Sequence, residues 1–291
     1  MGEDENIREI TALLRLLDEP DEDIYSRVSA RLASFGQKAL PFLENEWENK
    51  ADALIHQRVE RLITDIQFEG VKGDFGFWIG NGYADLLEAC LIVARIGDPE
   101  LDGEEVHQEL ARIRKDIWLE INDNLTALEQ IRVFNHVFYD IHEFAGNPSD
   151  LHAPSNLLID KVLAERRGNP LSLALVYMLL AQSLDIPVYG VNLPEHFILA
   201  YVGGQGEGED TGSDVLFYIN AFSRGTVFSR QEVTDFIWRL GHEPMARFLE
   251  PCSNKDIIQR LLNNLLNAYF KAGDTERVEQ VEELRKMLNA K

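Results

Sequence analysis

Side chains able to do nucleophilic or acid–base chemistry are sparse in this chain. It holds two cysteines, Cys90 and Cys252, and no CxxC pair. Cys90 lies in ADLLEACLIVARI, a strongly apolar run in which a cysteine packs as a small hydrophobe. The histidines form no HExxH or similar cluster, so neither a metal nor a cofactor is expected. The glycine-rich stretch EGVKGDFGFWIGNGYAD (69–85) is not a phosphate loop, because no Lys-Ser/Thr follows its glycines. What remains lies between 166 and 225. Asn169 and Pro170 read as the N-cap and first residue of a helix. Ser172, just inside it, suits a serine satisfying a backbone amide. His196 in PEHF can line a pocket or sit hydrogen-bonded in the core beside Phe197. Arg166 and Arg167, before Gly168, can approach such a pocket or stay solvated at a helix end, where the dipole favours cations.

These residues need elements to hold them. Apolar residues at helical spacing predict helices over 5–17, 22–35, 37–49 and 52–67. In the second, Ile24, Val28, Leu32 and Phe35 form the stripe, Asp21 and Asp23 offer capping and Gly36 a stop. RVSARL begins at Arg27 and RVERL at Arg58, with FGQKALPFLENEW between them, which looks like a HEAT-type helical pair. The stretch 69–85 reads as a loop and a domain boundary. Helices follow over 83–96, 103–122 and 125–144, then a loop over 146–156 with Pro148 and Pro154, then helices over 155–166 and 170–184. The pattern next turns β-rich: 186–193, 196–202 and 215–222 read as strands, with 224–229 as a short addition. The acidic, glycine-rich 203–214 segment links the second and third. Ser229 opens another helix with Glu232 at its third position. Residues 255–291 read as two helices joined by Ala-Gly-Asp (272–274), with the small-aromatic spacing of a tetratricopeptide hairpin.

Charge narrows the partners. Lys and Arg number 28 against 50 Asp and Glu, a net charge of −22. That field repels phosphate backbones and anionic lipid, so nucleic acid and membrane are not expected as partners. The N-terminus, MGEDENIREI, has no basic and then apolar leader. With the two unpaired cysteines, this predicts a cytoplasmic protein. No run approaches the ~20 apolar residues of a membrane span.

The informative stretch is SNLLIDKVLAERRGNPLSLALVYMLLAQSLDIPVYGVNLPEHFILAYV, followed by FYINAFSRG. It resembles the transglutaminase-like superfamily, and more closely a bacterial subgroup in which this core precedes a tetratricopeptide-like C-terminus. The resemblance extends upstream to YADLLEACLIVARIGDPELD (83–102). It implies an α+β, mostly helical fold: a transglutaminase-like (papain-like) core with a small antiparallel sheet, flanked by helical-repeat-like segments. The implied domains are a HEAT-like segment (1–70), the core (71–250) and a tetratricopeptide-like hairpin (251–291).

The resemblance also implies a Cys-His-Asp triad: a thiolate at a helix N-terminus, a His base on one strand, an Asp on the next. Relatives carry Gly-Ile-Pro after the Cys helix, where this chain has Asp185-Ile186-Pro187. Counting back places the Cys position at Pro170, the His at His196 and the Asp at Asn220. Proline cannot be a nucleophile. Asn220 can still hydrogen-bond His196, and Cys-His-Asn sites exist on other folds. Ser172 lies about 200° round the helix from Pro170, away from where the thiol would point. The subgroup's usual Gly before the His is Glu195, adding a charge at the cleft mouth. The implied function is a non-catalytic protein- or peptide-binding or scaffold module, a pseudoenzyme. Its expected binding residues are His196, Asn220, Glu195, Asn169, Ser172 and Arg167. The alternative is a cysteine-independent hydrolase or acyltransferase using the same cleft.

Overall fold

The computed structural model describes residues 2–49, 52–122, 124–147, 153–204 and 214–290. Pro148 and most of the acidic 203–214 segment lie outside the described residues. Contacts divide the chain into two compact units, Met1–Phe77 and Trp78–Lys291.

The first unit is helical: α1 (Gly2–Leu14), α2 (Glu22–Ala33), α3 (Leu40–Asn49) and most of α4 (Ala53–Gly80). Asp21 caps α2, its carboxylate accepting from the Asp23 and Ile24 amides. Ile10, Leu14, Val28, Leu32, Leu43, Val59 and Leu62 share one buried cluster. Ile24, expected on the buried stripe, is exposed. The buried Arg58 ties this unit together. It donates to the carbonyls of Leu17 and Glu19 at 2.8 Å each and lies 3.9 Å over the Tyr25 ring.

The glycine-rich stretch is not the loop its composition suggests. Helix α4 runs through Gly70, Gly73 and Gly76 to Gly80. Each helical glycine costs about 1 kcal/mol. Val71, Phe75 and Trp78, at helical spacing, are all buried and outweigh that cost. The stop comes at Gly82, whose φ of +72° only glycine adopts freely.

The second unit continues with α5 (Leu86–Ala94), α6 (Gly103–Glu120) and α7 (Ala127–Asn135), the last running into a π-helical turn at His136–Ile141. A two-residue parallel ladder pairs β1 (Ala145–Gly146) with β2 (Arg167–Gly168), and α8 (Ile159–Glu165) lies between them. Then come α9 (Pro170–Gln182) and the strands β3 (Val188–Asn192), β4 (Phe197–Val202), β5 (Val215–Asn220) and β6 (Thr226–Phe228). They form one antiparallel sheet in the order β3-β4-β5-β6. Helix α9 packs against β3 and β4. On the other face, Val191, Ile198, Ala200 and Tyr218 cluster with Val233 and Ile237 of α10 (Arg230–Arg239). With helices on both faces, β4 is apolar along its length rather than alternating. Helices α11 (Asn254–Ala272) and α12 (Thr275–Asn289) form the C-terminal hairpin around Gly273. The fold is therefore α+β, mostly helical, with a small antiparallel sheet. Among the described residues no helix is long and apolar enough to cross a membrane.

Candidate functional site

The start of α9 is built by reciprocal capping. Asn169 Oδ1 accepts from the amides of Leu171 and Ser172, both at 2.9 Å. Ser172 Oγ accepts from the Asn169 amide at 3.0 Å and donates to the Asn156 carbonyl at 2.5 Å. Pro170 takes the first helical position, where a missing N–H leaves nothing unsatisfied. Asn169 and Ser172 are buried by this arrangement. They support the helix start and do not line the cleft that Pro170 faces.

That cleft measures about 750 Å³ and is lined by Pro170, His196 and Asn220 together. The sheet explains their meeting. His196 immediately precedes β4 and Asn220 ends β5. The two strands are antiparallel, with Leu199 opposite Ile219. Extending that register by one places Asn220 opposite Ile198, and His196 is two residues farther along on the same face. This is the α10 side of the sheet. His196 meets Phe236 of α10 edge-on, ring centroids 4.9 Å apart.

His196 and Asn220 are not hydrogen-bonded to each other, contrary to the triad analogy. The Asn220 side-chain oxygen is already committed to the amides of Phe222 at 3.0 Å and Ser223 at 3.2 Å, capping the turn that follows β5. That turn is itself anchored: Tyr139 donates to the Ala221 carbonyl at 2.7 Å, and Asn135 donates to the Gly225 carbonyl at 3.1 Å. Phe222 lies so close to Gly146 that a Cβ there would meet its ring at 2.4 Å. The aromatic wall beside Pro170 thus depends on that glycine.

The His196 imidazole is held below its ordinary pKa, first by desolvation and then by the Arg260 guanidinium, with Glu195 acting in the opposite sense. Arg260 comes from α11. It donates to the Leu193 carbonyl at 2.8 Å and to the Asn192 side chain, and so fixes the chain just before the His196 turn. Glu195 is exposed at φ +61°, and Asp185 sits at φ +59°. Both positions therefore keep the left-handed backbone that favours glycine while carrying an acidic side chain.

Neither thiol lines the cleft, although Cys252 lies within electrostatic reach of Arg260. Cys90 is buried in α5, and burial pushes its pKa up to about 12. Cys252 is also raised to about 12, by desolvation and then by Asp256. Arg167 is exposed and donates to the Glu143 and Arg166 carbonyls. Arg166, a left-handed cap of α8, pairs with Glu109 over the Phe144 ring. Neither arginine lines the cleft. Among the described residues no group of three or more His, Cys, Asp or Glu could hold a metal ion.

One wall of the cleft was not anticipated from the sequence. Phe222 and Phe228 line it from the sheet side, and Glu232, Asp235, Phe236, Trp238 and Arg239 from α10. A signal was present in SRQEVTDFIWRL. Val233 and Ile237 make the buried stripe with Phe236 half-buried beside them, which leaves Trp238 as an exposed apolar residue off that stripe.

Comparison with known proteins agrees with this architecture. Residues 104–263 match the family model described as transglutaminase-like superfamily. The chain is 32% identical to human F-box only protein 21 over 139 residues, which are 48% of this chain but 22% of that protein. It is 29% identical to a UPF0162 protein of Vibrio cholerae over 192 residues, 64% of this chain and 67% of the relative. It is 25% identical to Protein SirB1 of Salmonella typhimurium over 205 residues, 69% of this chain and 72% of that protein. No solved structure matches the chain.

Proposed function

Because this chain belongs to the transglutaminase-like superfamily yet carries proline at the expected thiol position, we propose that it is a non-catalytic member whose cleft binds a protein or peptide segment. One observation carries the reading: Pro170, His196 and Asn220 line one cleft that contains no cysteine. Covalent acyl transfer begins with an activated nucleophile. Pro170 supplies neither thiol nor hydroxyl, and the Asn220 oxygen that would orient His196 is spent on backbone amides. The cleft walls need no thiol, so binding outlasts the loss of chemistry. The flanking segments fit a scaffold: residues 1–70 as HEAT-like and 251–291 as tetratricopeptide-like helices, classes that present peptide-binding faces. Two free, buried or half-buried thiols suit a reducing, cytoplasmic setting.

The experiment compares wild type with Pro170→Cys on glutamine-containing and generic peptides, with iodoacetamide as inhibitor. Wild type is expected to turn over neither substrate. The substituted protein is expected to label at residue 170, because a thiol at a helix N-terminus is acidified. Turnover by wild type sinks the proposal. If a serine-directed fluorophosphonate blocks that turnover, the alternative of a cysteine-independent hydrolase takes its place, with Ser223 as the hydroxyl lining the cleft.

A further inference from the structure

Helix α10 presents two kinds of chemistry to the cleft. Glu232, Asp235, Phe236 and Arg239 recur at the spacing of one helical face and all line it. The carboxylates of Glu232 and Asp235 are exposed at the rim. Glu195, exposed and next in sequence to His196, is not itself among the lining residues. Arg239 is the one lysine or arginine among the described lining residues, and it lies 5.9 Å over the Phe236 ring. The rim is thus acidic, on a chain whose net charge is −22. Beneath it the walls are apolar, with Leu193, Phe197 and Phe228 among them.

The sheet edge supplies a second, independent observation. β6 is the last strand of the sheet, and Thr226 and Val227 on it are exposed. Among the described residues no strand pairs with its outer edge. An open edge offers main-chain donors and acceptors to an extended chain. The next residue on that strand, Phe228, lines the cleft. A chain added along β6 could therefore drop a side chain into the apolar interior while its neighbours cross the acidic rim. A free small molecule would use the cavity but not the edge.

We infer that the cleft takes an extended, basic peptide segment, anchored by one large apolar or aromatic side chain and flanked by Lys or Arg. This rests on the peptide-binding reading above and names its ligand class. Opposite charge at the rim sets partner choice and encounter rate, while the buried anchor carries most of the affinity.

The test selects a random heptamer phage library on the immobilised full chain, with Asp235→Lys and Phe236→Ala selected in parallel. Asp235 is exposed, so its substitution leaves the core intact, and circular dichroism verifies that both variants fold. The expected result is enrichment of heptamers pairing an aromatic or large aliphatic residue with Lys or Arg. Affinity of the best heptamer, by fluorescence anisotropy, should fall about tenfold or more in Phe236→Ala, about twofold to fivefold in Asp235→Lys, and weaken with added salt. Enrichment of acidic or uncharged heptamers overturns the inference, as does no enrichment, or binding by both variants as tight as by wild type. Acidic or uncharged heptamers lost on Phe236→Ala would leave the peptide-binding reading standing and remove only the charge assignment. Cleavage or covalent modification of a bound heptamer by wild type, seen by mass spectrometry, would instead remove the non-catalytic reading.

Discussion

Ser172→Ala separates a supporting serine from a reactive one. The hydroxyl is buried at 2% exposure and makes two close bonds, from the Asn169 amide at 3.0 Å and to the Asn156 carbonyl at 2.5 Å, beside a long contact to the Asn169 carbonyl at 3.4 Å. Removing it orphans neither backbone group, because the Asn169 amide also donates to the Asn156 carbonyl at 3.2 Å. The loss is then two ordinary net hydrogen bonds, about 1 kcal/mol each, or about 2 kcal/mol in all. In a unit of this size that lowers Tm by about 4–8 °C. Urea unfolding followed by near-ultraviolet circular dichroism measures it, with Ser223→Ala as the exposed control expected within about 0.5 kcal/mol of wild type. A Ser172→Ala protein less than about 0.5 kcal/mol below wild type would show that the capping bonds do not hold the helix start. The reasoning that assigns Ser172 to structure would then fail.

Two further predictions concern the turn that carries His196. Glu195→Gly relieves a left-handed backbone at φ +61° and is expected to raise stability by about 0.5–1 kcal/mol; a destabilised variant would mean that the Glu195 side chain makes up for its strain. Arg260→Ala removes a positive charge and part of the desolvation that disfavour imidazolium at His196. The His196 pKa should therefore rise toward the usual histidine value in an NMR titration, and an unchanged or lower value would refute the electrostatic account.

Much of this was legible in the residues, for stated reasons. The antiparallel sheet and its α9 partner came from β-rich runs that follow one apolar helix, and the structure has both. The meeting of Pro170, His196 and Asn220 came from motif placement, because strand order and register convert distant positions into neighbours. Three things did not come through. Glycine propensity argued for a loop over 69–85, and burial of Val71, Phe75 and Trp78 overrode it. The Asn220 side chain was expected to reach His196, but an asparagine at a strand end bonds its own following amides more readily. The α10 wall was missed because its cleft-facing residues are defined only by which side of the helix the sheet covers.

Arg260 has a consequence for how such proteins can be divided over evolution. The guanidinium that steadies the His196 turn belongs to α11, and the Cys252 amide donates to the Gly190 carbonyl of β3 at 2.8 Å. Ile257, Ile258, Leu261 and Leu262 are buried along the same helix. The family match itself ends at residue 263, partway through α11. The bracing residues all fall inside that match, which takes in the brace of the cleft and leaves out the rest of the hairpin. A descendant that lost α11 would lose the brace of the His196 turn with it.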